Sequence, residues 1–472
     1  MSEAIIVGAG PNGLTCAAVL ARAGVKVTVI EAQPTIGGGT RTSELTLPGL
    51  LHDHCSAVHP MAPMSPAFQE LDLAAQGLEW RRPEVDLAHP LDDGSAAVMV
   101  QSVEETAAGL GPDGAPWKRL FARSAAGFPE LNEDITRPLL HVPRHPLRLV
   151  RFGLPAALPA AAAARGFRTP AGRALFGGAA AHALSPLSRP LSSAIGMALI
   201  TAGHYGGWPV ARGGSRAITD ALAAVVVAAG GSIETGRAVE DLGELPAADA
   251  VVLDLAPAGV ADVAGDHLPS RVRRAYRRYR HGPGAFKVDL AVDGGIPWTA
   301  EACGKAGTVH VAGSFEEIAA AERDVNRGRM PDRPFVLLAQ QYLADPSRSA
   351  ADVHPIWAYA HAPNGYDGDA TDALLGQIER FAPGFRERIV AQSVRRTSEF
   401  SIYNRNYVGG DIITGANTVK QMIVRPRLTL RPYSTGAHGV YVCSAATPPG
   451  AGVHGMNGYN AARVVLGDLG AG

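Results

Sequence analysis

Ala4-Ile5-Ile6-Val7-Gly8-Ala9-Gly10-Pro11-Asn12-Gly13, near the start of the chain, decides the fold. The apolar residues are typical of a buried strand, and the glycines after them have the spacing G-x-G-x-x-G. The pattern then predicts a helix over 14–23 with Gly24 at its C-terminal end. A second apolar strand over 25–30 closes on Glu31. A strand, a glycine turn, a helix, a strand and an acid in this order are typical of a dinucleotide-binding domain.

Each part of this motif has a physical role in binding a diphosphate. Gly8 permits the tight turn, Gly10 lets the backbone approach the diphosphate, and Gly13 lets helix and strand pack closely. The helix N-terminus offers free N–H groups and a partial positive charge. Glu31 can accept hydrogen bonds from the adenosine ribose. A chance glycine turn is the alternative, and it does not explain this surrounding context.

A second glycine cluster favours FAD over NAD as the dinucleotide. The stretch 37–41, Gly-Gly-Gly-Thr-Arg, follows the acid closely, which suits a cofactor whose pyrophosphate and flavin extend past the first helix. Arg41 can neutralise phosphate charge and donate to two oxygens at once. The predicted cofactor contacts in this part of the chain are Gly8, Gly10, Pro11, Asn12, Gly13, Glu31, Ala32, Gly38, Gly39, Thr40 and Arg41.

The C-terminal stretch also favours FAD. A predicted strand over 439–443 leads into a glycine-rich loop over 444–458, and a helix is expected over 459–466. The N-terminus of this helix can point at the pyrimidine end of a flavin, where its dipole would stabilise negative charge on the reduced ring. The predicted cofactor contacts outside the N-terminal region are Val239, near the adenine, and Ala446, Gly455 and Met456.

The composition indicates a large protein with a buried core. The chain has 472 residues, which is more than one core usually supports, and 46% of them are hydrophobic. A net charge of −1 gives no reason to expect a nucleic-acid partner. The four cysteines form no C-x-x-C pair, so neither a redox dithiol nor a zinc site is indicated. We expect a cytoplasmic protein with no cleavable signal and no membrane-spanning segment.

The order of the elements predicts an α/β protein in which a doubly wound, Rossmann-like FAD-binding domain carries an inserted α+β substrate domain. The first part of the substrate domain reads as mainly helical, with helices over 117–131 and 170–183. Alternating apolar and charged residues over 286–292 predict a strand of a second sheet. The FAD domain is assigned to 1–65, 206–270 and 425–472, and the substrate domain to 66–205 and 271–424.

Two basic segments each allow two interpretations. Between residues 144 and 168, five arginines alternate with leucine, valine and phenylalanine. Such an amphipathic segment can lie on an anionic membrane surface, or it can form a solvated helix face. The arginine-rich run 271–280 suggests nucleic acid, but no basic domain surrounds it, so a solvated helix face is favoured.

Three residues are candidates for a role in catalysis. His54 and His59 share a loop with His52, Asp53 and Cys55, but the loop lacks the helical pair or distant ligand that a metal site needs. The two histidines are expected to pack near the flavin ring or shape the pocket. A hydrogen-bonded structural loop is the alternative.

Lys287 is the third candidate. It is a single lysine on a predicted strand that can reach the flavin. A buried lysine there can hold a water or a proton relay. A surface ion pair with Asp289 is the alternative interpretation.

The pattern as a whole resembles the phytoene desaturase-like flavoproteins, within the amine-oxidase class of FAD enzymes. The residues that carry this resemblance are 8–13, Glu31, 37–41, 213–215 and 447–460. Within that family the chain is similar to a branch related to the pyridine nucleotide-disulfide oxidoreductase domain-containing proteins. That branch pattern is seen in His52-Asp53 with His59-Pro60, and in 282–289, 406–411 and 452–456. Because the chain has no C-x-x-C, disulfide chemistry is not indicated.

The resemblance implies FAD as the bound cofactor and a lipophilic, isoprenoid- or polyene-like substrate. A carbon–carbon or similar bond would be oxidised, with hydride passing to flavin N5. Oxygen, a quinone or another acceptor would then reoxidise the flavin. A proton can leave a stabilised cation without a strong base, so no catalytic residue is certain. The reverse reaction, in which reduced flavin saturates a double bond, is also open.

Two rival functions stay open. An amine oxidase on the same fold would hold a neutral amine beside the flavin between aromatic rings. A non-catalytic scaffold would use FAD for structure and bind a partner or a membrane. The aromatic residues that could serve an amine oxidase are Trp208, Trp357, Tyr359 and Tyr403. The sequence indicates no oligomeric state.

Overall fold

The computed structural model describes residues 2–470 and contains two main sheets. The strands, in chain order, are β1 (Glu3–Val7), β2 (Lys26–Ile30), β3 (Thr42–Glu44), β4 (Leu51–Asp53), β5 (Trp80–Arg81), β6 (Val85–Pro90), β7 (Ala96–Met99), β8 (Val210–Ala211), β9 (Ser232–Glu234), β10 (Ala250–Leu253), β11 (Gly284–Asp293), β12 (Ala306–Val311), β13 (Val336–Ala339), β14 (Val353–Ala362), β15 (Ile389–Arg395) and β16 (Val440–Val442).

Helices flank both sheets. They are α1 (Pro11–Arg22), α2 (Pro66–Glu70), α3 (Val103–Gly109), α4 (Gly114–Ala126), α5 (Phe128–Ile135), α6 (Pro146–Ala156), α7 (Ala160–Ala163), α8 (Pro170–Ala181), α9 (Ser193–Gly206), α10 (Arg216–Ala228), α11 (Pro257–Val263), α12 (Ser270–Arg277), α13 (Phe315–Val325), α14 (Thr371–Phe381), α15 (Phe400–Tyr403), α16 (Val419–Ile423) and α17 (Met456–Leu469).

The first sheet is the Rossmann-like core. Its five strands are all parallel, in the order β16-β10-β1-β2-β9. Successive residues of a strand face opposite sides of the sheet. Ile6 therefore packs with α1, α10 and α17 on one face, and Ile5 packs with α11 and α12 on the other. Because both faces are covered, the strands are apolar throughout rather than alternating.

The second sheet has seven strands in the order β15-β11-β14-β13-β12-β6-β7. All of its pairings are antiparallel except that of β12 with β6. Phe286, Val288 and Leu290 of β11 pack with α14 on one face. The opposite face, with Trp357 and Tyr359 of β14, packs against α4 to α9 and α13. This helical layer is the part of the chain that the sequence predicted as mainly helical.

The two helices that begin at glycine turns start earlier than predicted. Helix α1 begins at Pro11, because a proline has no N–H to leave unpaired and its φ suits the first helical position. Helix α17 begins at Met456 rather than at residue 459. Gly455, with a φ of +66°, takes the left-handed conformation just before it.

The structure differs from the predicted domain assignment at two places and from the predicted secondary structure of the substrate domain at two more. Residues 66–78, assigned to the substrate domain, pack in the core of the first sheet through Phe68 and Leu71. Helix α12, assigned to the same domain, also packs on the first sheet. Strands β6 and β7 join the second sheet although they lie in the segment predicted as mainly helical. The helix expected over 117–131 is broken at Gly127 into α4 and α5.

No single helix within residues 2–470 is long and apolar enough to cross a membrane. The helices Pro146–Ala156 and Ala160–Gly166 satisfy the length and composition criteria only as a pair bent by 90°. On α6, Phe152 is buried, whereas Leu147 and Leu154 are exposed.

Candidate functional site

The two predicted glycine clusters meet at the N-terminus of α1. The Gly37 N–H donates to Ala9 O over 2.9 Å. A Cβ added to Gly38 would lie 2.9 Å from the Gly10 Cα, and a Cβ added to Gly13 would lie 2.1 Å from Gly8 O. No side chain caps this helix N-terminus. The glycines therefore let the two turns lie directly against each other, beside a helix N-terminus whose backbone N–H groups no side chain caps and a diphosphate can approach.

A second helix N-terminus adjoins the first. Helix α17 packs so closely on α1 that a Cβ on Gly458 would lie 1.9 Å from Asn12 O. The Met456 N–H donates to His454 Nδ1 over 3.1 Å, which holds the loop before the helix. The side-chain Oδ1 of Asn12 is buried without a partner among the described residues. An unpaired acceptor at this point is a polar group that a bound ligand can satisfy.

Ten predicted cofactor contacts line one cavity of about 900 Å³. We call this part of the cavity the dinucleotide groove. Gly13 and Gly455 lie behind its wall, where they serve helix packing. Thr40, Ala446 and Met456 are buried and do not line the cavity, although Ala445 and His454 do. The ten lining residues are Gly8, Gly10, Pro11, Asn12, Glu31, Ala32, Gly38, Gly39, Arg41 and Val239.

The two charged groups predicted in the groove pair with each other. Glu31 accepts hydrogen bonds from the backbone N–H groups of Ala9, at 2.8 Å, and Gln33, at 2.9 Å. Arg41 Nη2 lies 3.3 Å from Glu31 Oε1, and the guanidinium also donates to Thr35 O and Gly38 O. Arg41 is thus held beside the second glycine cluster by protein acceptors. A phosphate of the bound dinucleotide would be a further acceptor for the Arg41 guanidinium.

The sequence reasoning did not identify Asp254 as a site residue. It follows β10 and lines the groove, and its Oδ2 accepts the Gly13 N–H over 3.0 Å. A Cβ on Gly10 would lie 3.0 Å from the same oxygen. Burial raises the pKa of Asp254 to about 7, with the Gly13 hydrogen bond opposing and Glu31 adding to the shift. An acid at the carboxyl end of a buried parallel strand was the available signal.

The same cavity continues from the dinucleotide groove into a second part, which we call the apolar chamber. Helices α6 and α9 and strand β14 provide most of its wall. Such a lining excludes water and accepts an apolar ligand. The residues of the apolar chamber are Leu149, Phe152, Ala156, Ile195, Ala198, Leu199, Trp208, Leu337, Trp357 and Tyr359.

The four aromatic residues named for an amine oxidase all line the cavity. The rings of Trp357 and Tyr359 are 5.1 Å apart and nearly perpendicular, at 80°. Tyr403 stacks instead on His54, with centres 5.4 Å apart, and its hydroxyl donates to Gly38 O. Trp208 meets His182 edge-on. Among these four residues, only Trp357 and Tyr359 have rings in contact, and those two rings are not parallel.

None of the three catalytic candidates lines the cavity. His54 Nε2 is hydrogen-bonded to Ser43 Oγ, and His59 Nε2 to Ser215 Oγ, at 2.7 and 2.8 Å. Burial lowers the pKa of each to about 4, so both rings are neutral at pH 7. These hydrogen bonds to serine hydroxyls are the contacts expected of a hydrogen-bonded structural loop, which was the alternative interpretation of the sequence.

Lys287 forms an ion pair with Asp289, as the alternative interpretation of the sequence predicted. The pair is buried, however, and does not lie at the surface. Burial lowers the pKa of Lys287, and the attraction of Asp289 opposes the shift. Its Nζ lies 5.8 Å from the ring centre of Trp357, which separates it from the apolar chamber. Lys287 can influence the chamber through that ring but does not touch a ligand there.

His182, which the sequence reasoning missed, does line the cavity. Its Nε2 lies 3.0 Å from His310 Nε2. His310 Nδ1 is buried and has no hydrogen-bond partner among the described residues, so we assign the proton of this ring to Nε2. His310 Nε2 then donates to His182 Nε2. The His182 proton is consequently on Nδ1. Burial lowers the pKa of His182 to about 3, so the ring is a neutral donor. His182 follows an alanine-rich helix, and no sequence motif there indicated a functional role for it.

The comparisons agree with this architecture. The family described as "NAD(P)-binding Rossmann-like domain" matches residues 6–71. The chain is 24% identical to pyridine nucleotide-disulfide oxidoreductase domain-containing protein 2 of Rattus norvegicus, over 99% of this chain and 94% of that one. It is 31% identical to a limonene dehydrogenase polypeptide of Castellaniella defragrans, over 27% of this chain and 22% of that one.

Solved structures of oxidoreductases share the fold over the full length of the chain. Putrescine oxidase bound to putrescine superposes with a TM-score of 0.63 at 16% identity, covering 100% of this chain and 99% of that one. Cyclohexylamine oxidase from Brevibacterium oxydans gives 0.58 at 14% identity, covering 99% of each chain. These matches confirm the predicted α/β Rossmann-like fold and the predicted resemblance to this class of oxidoreductases.

Proposed function

We propose that this chain is an FAD-dependent oxidoreductase that dehydrogenates a lipophilic substrate by hydride transfer to flavin N5. The observation that carries the proposal is the continuity of the dinucleotide groove with the apolar chamber in a single cavity. A dinucleotide that begins at the glycine turns and continues along the cavity would present its redox-active end to an apolar ligand. The full-length relatives and the structural neighbours are named as oxidoreductases or oxidases.

The residues of the groove fit FAD. The matched family is named for NAD(P), but it covers only the first Rossmann unit, residues 6–71. The groove also takes in the second glycine cluster, Val239 and the loop before α17. A second positive helix end beside the cavity suits the longer cofactor. Gly8, Gly10 and Gly38 would lie along the diphosphate, and Glu31 would accept from the ribose.

When bound, FAD supplies a two-electron acceptor for the hydride. The chain's own residues supply position and environment. Leu149, Phe152 and Ile195 exclude water from the apolar chamber, and Trp357 and Tyr359 give the substrate two rigid surfaces. The positive end of α17 favours negative charge that develops near it. His182 offers its Nδ1–H to a polar atom of the substrate.

No strong base is needed in this mechanism. A proton can leave a stabilised cation to water, so no side chain on the cavity wall has to accept it. His182 acts only as a donor, because its Nε2 already accepts from His310 and its proton is on Nδ1. His54, His59 and Lys287 pack around the site and do not contact the reacting atoms. We therefore propose that replacing any one of these three with alanine slows flavin reduction through loss of packing, with flavin retention falling in parallel.

The first test is the visible absorption spectrum of the purified protein, before and after incubation with FAD and gel filtration. The expected result is a flavin spectrum that stays with the protein. Anaerobic addition of isoprenoid or polyene compounds that carry a polar group such as a hydroxyl should then bleach the flavin bands. A protein that retains no flavin would contradict the proposed cofactor, and a flavin that no such compound reduces would contradict the substrate class.

Amine oxidation is the second candidate, because Trp208, Trp357, Tyr359 and Tyr403 line the same cavity and the fold is shared with two amine oxidases. Bleaching by an amine panel, and by no isoprenoid or polyene compound, would favour it. A flavin that no donor reduces would favour the non-catalytic scaffold. Reduced protein that reoxidises on adding a polyene would show the saturating direction.

A further inference from the structure

Acidic residues are absent from two long segments of the chain. Residues 135–219 contain ten arginines and no aspartate or glutamate, and residues 412–467 contain one lysine, four arginines and again no acid. The whole chain nevertheless has a net charge of −1. The net charge is therefore positive in these two segments and negative over the rest of the chain, as a surface that meets an anionic partner requires.

Both segments line the cavity, and the first of them forms part of the apolar chamber. Residues of α6 line it from one side, and Met422 and Ile423 of α16 line the same cavity. Among the lining residues beside or on these helices, Leu139, Ala157 and Ile423 are exposed to solvent. The cavity therefore reaches solvent at α6 and at α16, and we call the surface formed by these two helices and the residues next to them the outer rim.

The outward face of α6 on this rim is apolar and basic. Leu147, Val150 and Leu154 are 81%, 58% and 70% exposed, although their spacing puts them on one face of the helix. Arg151 lies on the same face and has no acidic partner within residues 2–470. The inward face, with Phe152 and Ala156, lines the apolar chamber. Exposed leucines beside unpaired arginine are typical of a helix that lies in a membrane interface.

Exposed apolar residues continue along the segment before α6 and along the other side of the rim. Lys420, on α16, is exposed and has no acidic partner in the part of the chain that the structure describes. The remaining exposed large apolar residues of the two acid-free segments are Leu139, Leu140, Val142, Leu158, Tyr205, Val419, Ile423, Leu428 and Leu430. An apolar patch of this kind is larger than single scattered hydrophobic residues and indicates a binding surface.

We propose that the outer rim docks on the surface of an anionic lipid bilayer, with the outward face of α6 inserted among the headgroups. Arg151 and Lys420 then lie against lipid phosphates, and the chamber opens directly towards the acyl region. An apolar substrate would pass between bilayer and chamber without crossing water. The docking itself does not depend on the redox chemistry proposed above.

The charges favour a bilayer over a second copy of the chain. A symmetric dimer would place each basic rim against its own equivalent, and like charges in contact oppose association. An anionic bilayer instead attracts basic side chains near its surface with a free energy of about 1 kcal/mol each, equivalent to roughly a fivefold gain in binding.

The test is flotation of the full-length protein, loaded with FAD, on two kinds of vesicle. One is phosphatidylcholine alone, and the other is phosphatidylcholine mixed with phosphatidylglycerol. We expect binding to the anionic vesicles only, weakened by added salt. The variant Arg151→Gln with Lys420→Gln should bind about thirtyfold more weakly. The variant Leu147→Ser, Val150→Ser and Leu154→Ser should lose roughly a hundredfold or more.

Two matched controls separate this surface from general charge or hydrophobicity. Val227→Ser removes an apolar residue that is 60% exposed on α10 of the first domain. Arg271→Gln with Arg274→Gln removes two exposed charges from α12. Both controls should bind vesicles like the unchanged protein. Flavin retention and the unfolding temperature check that the rim variants are folded.

Four outcomes would overturn the proposal. They are no binding to anionic vesicles, equal binding to both kinds of vesicle, equal losses in the rim variants and the controls, or a dimer in solution that the rim variants dissociate. Loss of vesicle binding with retained flavin reduction would reject docking alone. Vesicle binding by a protein that takes up no flavin would reject the proposed function alone.

Discussion

At the scale of single residues, Asp254 is the group whose charge matters most to cofactor binding. Its carboxyl lies beside Gly10 and Gly13, where the diphosphate is expected. A carboxylate there would repel the phosphates, whereas the neutral acid would not. Burial raises its pKa to about 7, so the charge changes within the physiological range.

We therefore expect the affinity for FAD to fall about tenfold between pH 6 and pH 8, as Asp254 loses its proton. The variant Asp254→Asn should bind FAD with little dependence on pH over the same interval. The pKa of Asp254 in the folded protein is above the ordinary value of 3.8, so ionisation of this carboxyl destabilises the folded state. The destabilisation grows as the pH rises from about 4 to 7, and Asp254→Asn removes it.

Titration of the apoprotein with FAD, followed by flavin fluorescence, measures this dependence. Asp262→Asn is the control, since Asp262 lines the same cavity but is exposed and paired with Arg277. It should keep the pH dependence of the unchanged protein. A flat profile in the unchanged protein would show that Asp254 is not near the phosphates.

His182 is the residue through which the chain can orient a substrate. Replacing it with phenylalanine removes a donor worth about 1 to 1.5 kcal/mol, so kcat/KM should fall about tenfold. His182→Asn keeps a donor near the Nδ1 position and should recover most of the loss. Both variants should retain flavin. Equal activity of the two variants would argue for a packing role only.

At the scale of elements, the contact between α1 and α17 brings the two helix N-termini to the groove. A Cβ on Gly458 would lie 1.9 Å from Asn12 O, so Gly458→Ala must push the helices apart. We expect a loss of about 1–3 kcal/mol of unfolding free energy and weaker FAD retention. Thermal unfolding with and without FAD measures both.

Gly467→Ala, on the same helix, is the matched control because no atom lies within 4 Å of the added Cβ. That substitution should be neutral or stabilise the helix by up to about 1 kcal/mol. Equal destabilisation by the two substitutions would mean that helix propensity, and not the close contact, governs this position.

The buried pair of Arg348 and Asp53 connects the loop before β14 of the second sheet with β4 and with α10, which packs on the first sheet. Arg348 Nη1 lies 2.5 Å from Asp53 Oδ2, and the guanidinium also donates to Ala211 O at 2.7 Å. Asp53 in turn accepts from the Ser215 N–H at the start of α10. Burial raises the pKa of Asp53, but Arg348 and the hydrogen bonds outweigh that effect and hold it below its usual value.

Arg348→Met should cost about 3–5 kcal/mol, because it leaves Asp53 buried without a counter-charge. Adding Asp53→Asn to that variant should recover a large part of the loss, since the unpaired charge at position 53 is then removed and only Asp345, the other acid paired with Arg348, is left without that partner. Urea unfolding of the single and double variants measures the coupling. Additive losses would show that the two side chains do not act as a pair.

At the scale of the whole molecule, buried neutral histidines make the fold sensitive to acid. Burial lowers the pKa of each to about 4, or to about 3 for His182. In the unfolded chain the same groups titrate near 6.5. The residues are His54, His59, His89, His182, His204 and His454.

A depressed histidine pKa supports the folded state above pH 6.5 and costs stability as the pH falls towards 4. Near pH 5 these histidines take up about five protons on unfolding, and Asp86 and Asp254, whose pKa values burial raises to about 6 and about 7, release about two. The unfolding free energy should therefore fall by roughly 5 kcal/mol for each unit by which the pH is lowered. Urea midpoints between pH 7 and pH 5 measure the slope. A slope of one proton or less would contradict the neutral, buried state of these rings.

The sequence by itself determined the fold class and the dinucleotide groove. Strand, glycine turn and helix are local patterns, because φ preference and apolar periodicity act over neighbouring residues. Ten predicted contacts accordingly lie along one cavity. Local patterns also marked the glycine loop before α17, although the helix start was placed three residues late.

Only the tertiary structure decided the catalytic surroundings. His54, His59 and Lys287 lie in the predicted segments, but their side chains do not line the cavity. Whether a side chain reaches the cavity depends on how elements distant in the sequence pack. His182 and Asp254 reach the cavity because α8 and β10 end beside it, at 182 and 254, far from each other in the chain. Burial, pairing and pKa are set by such long-range packing, and local sequence patterns do not encode it.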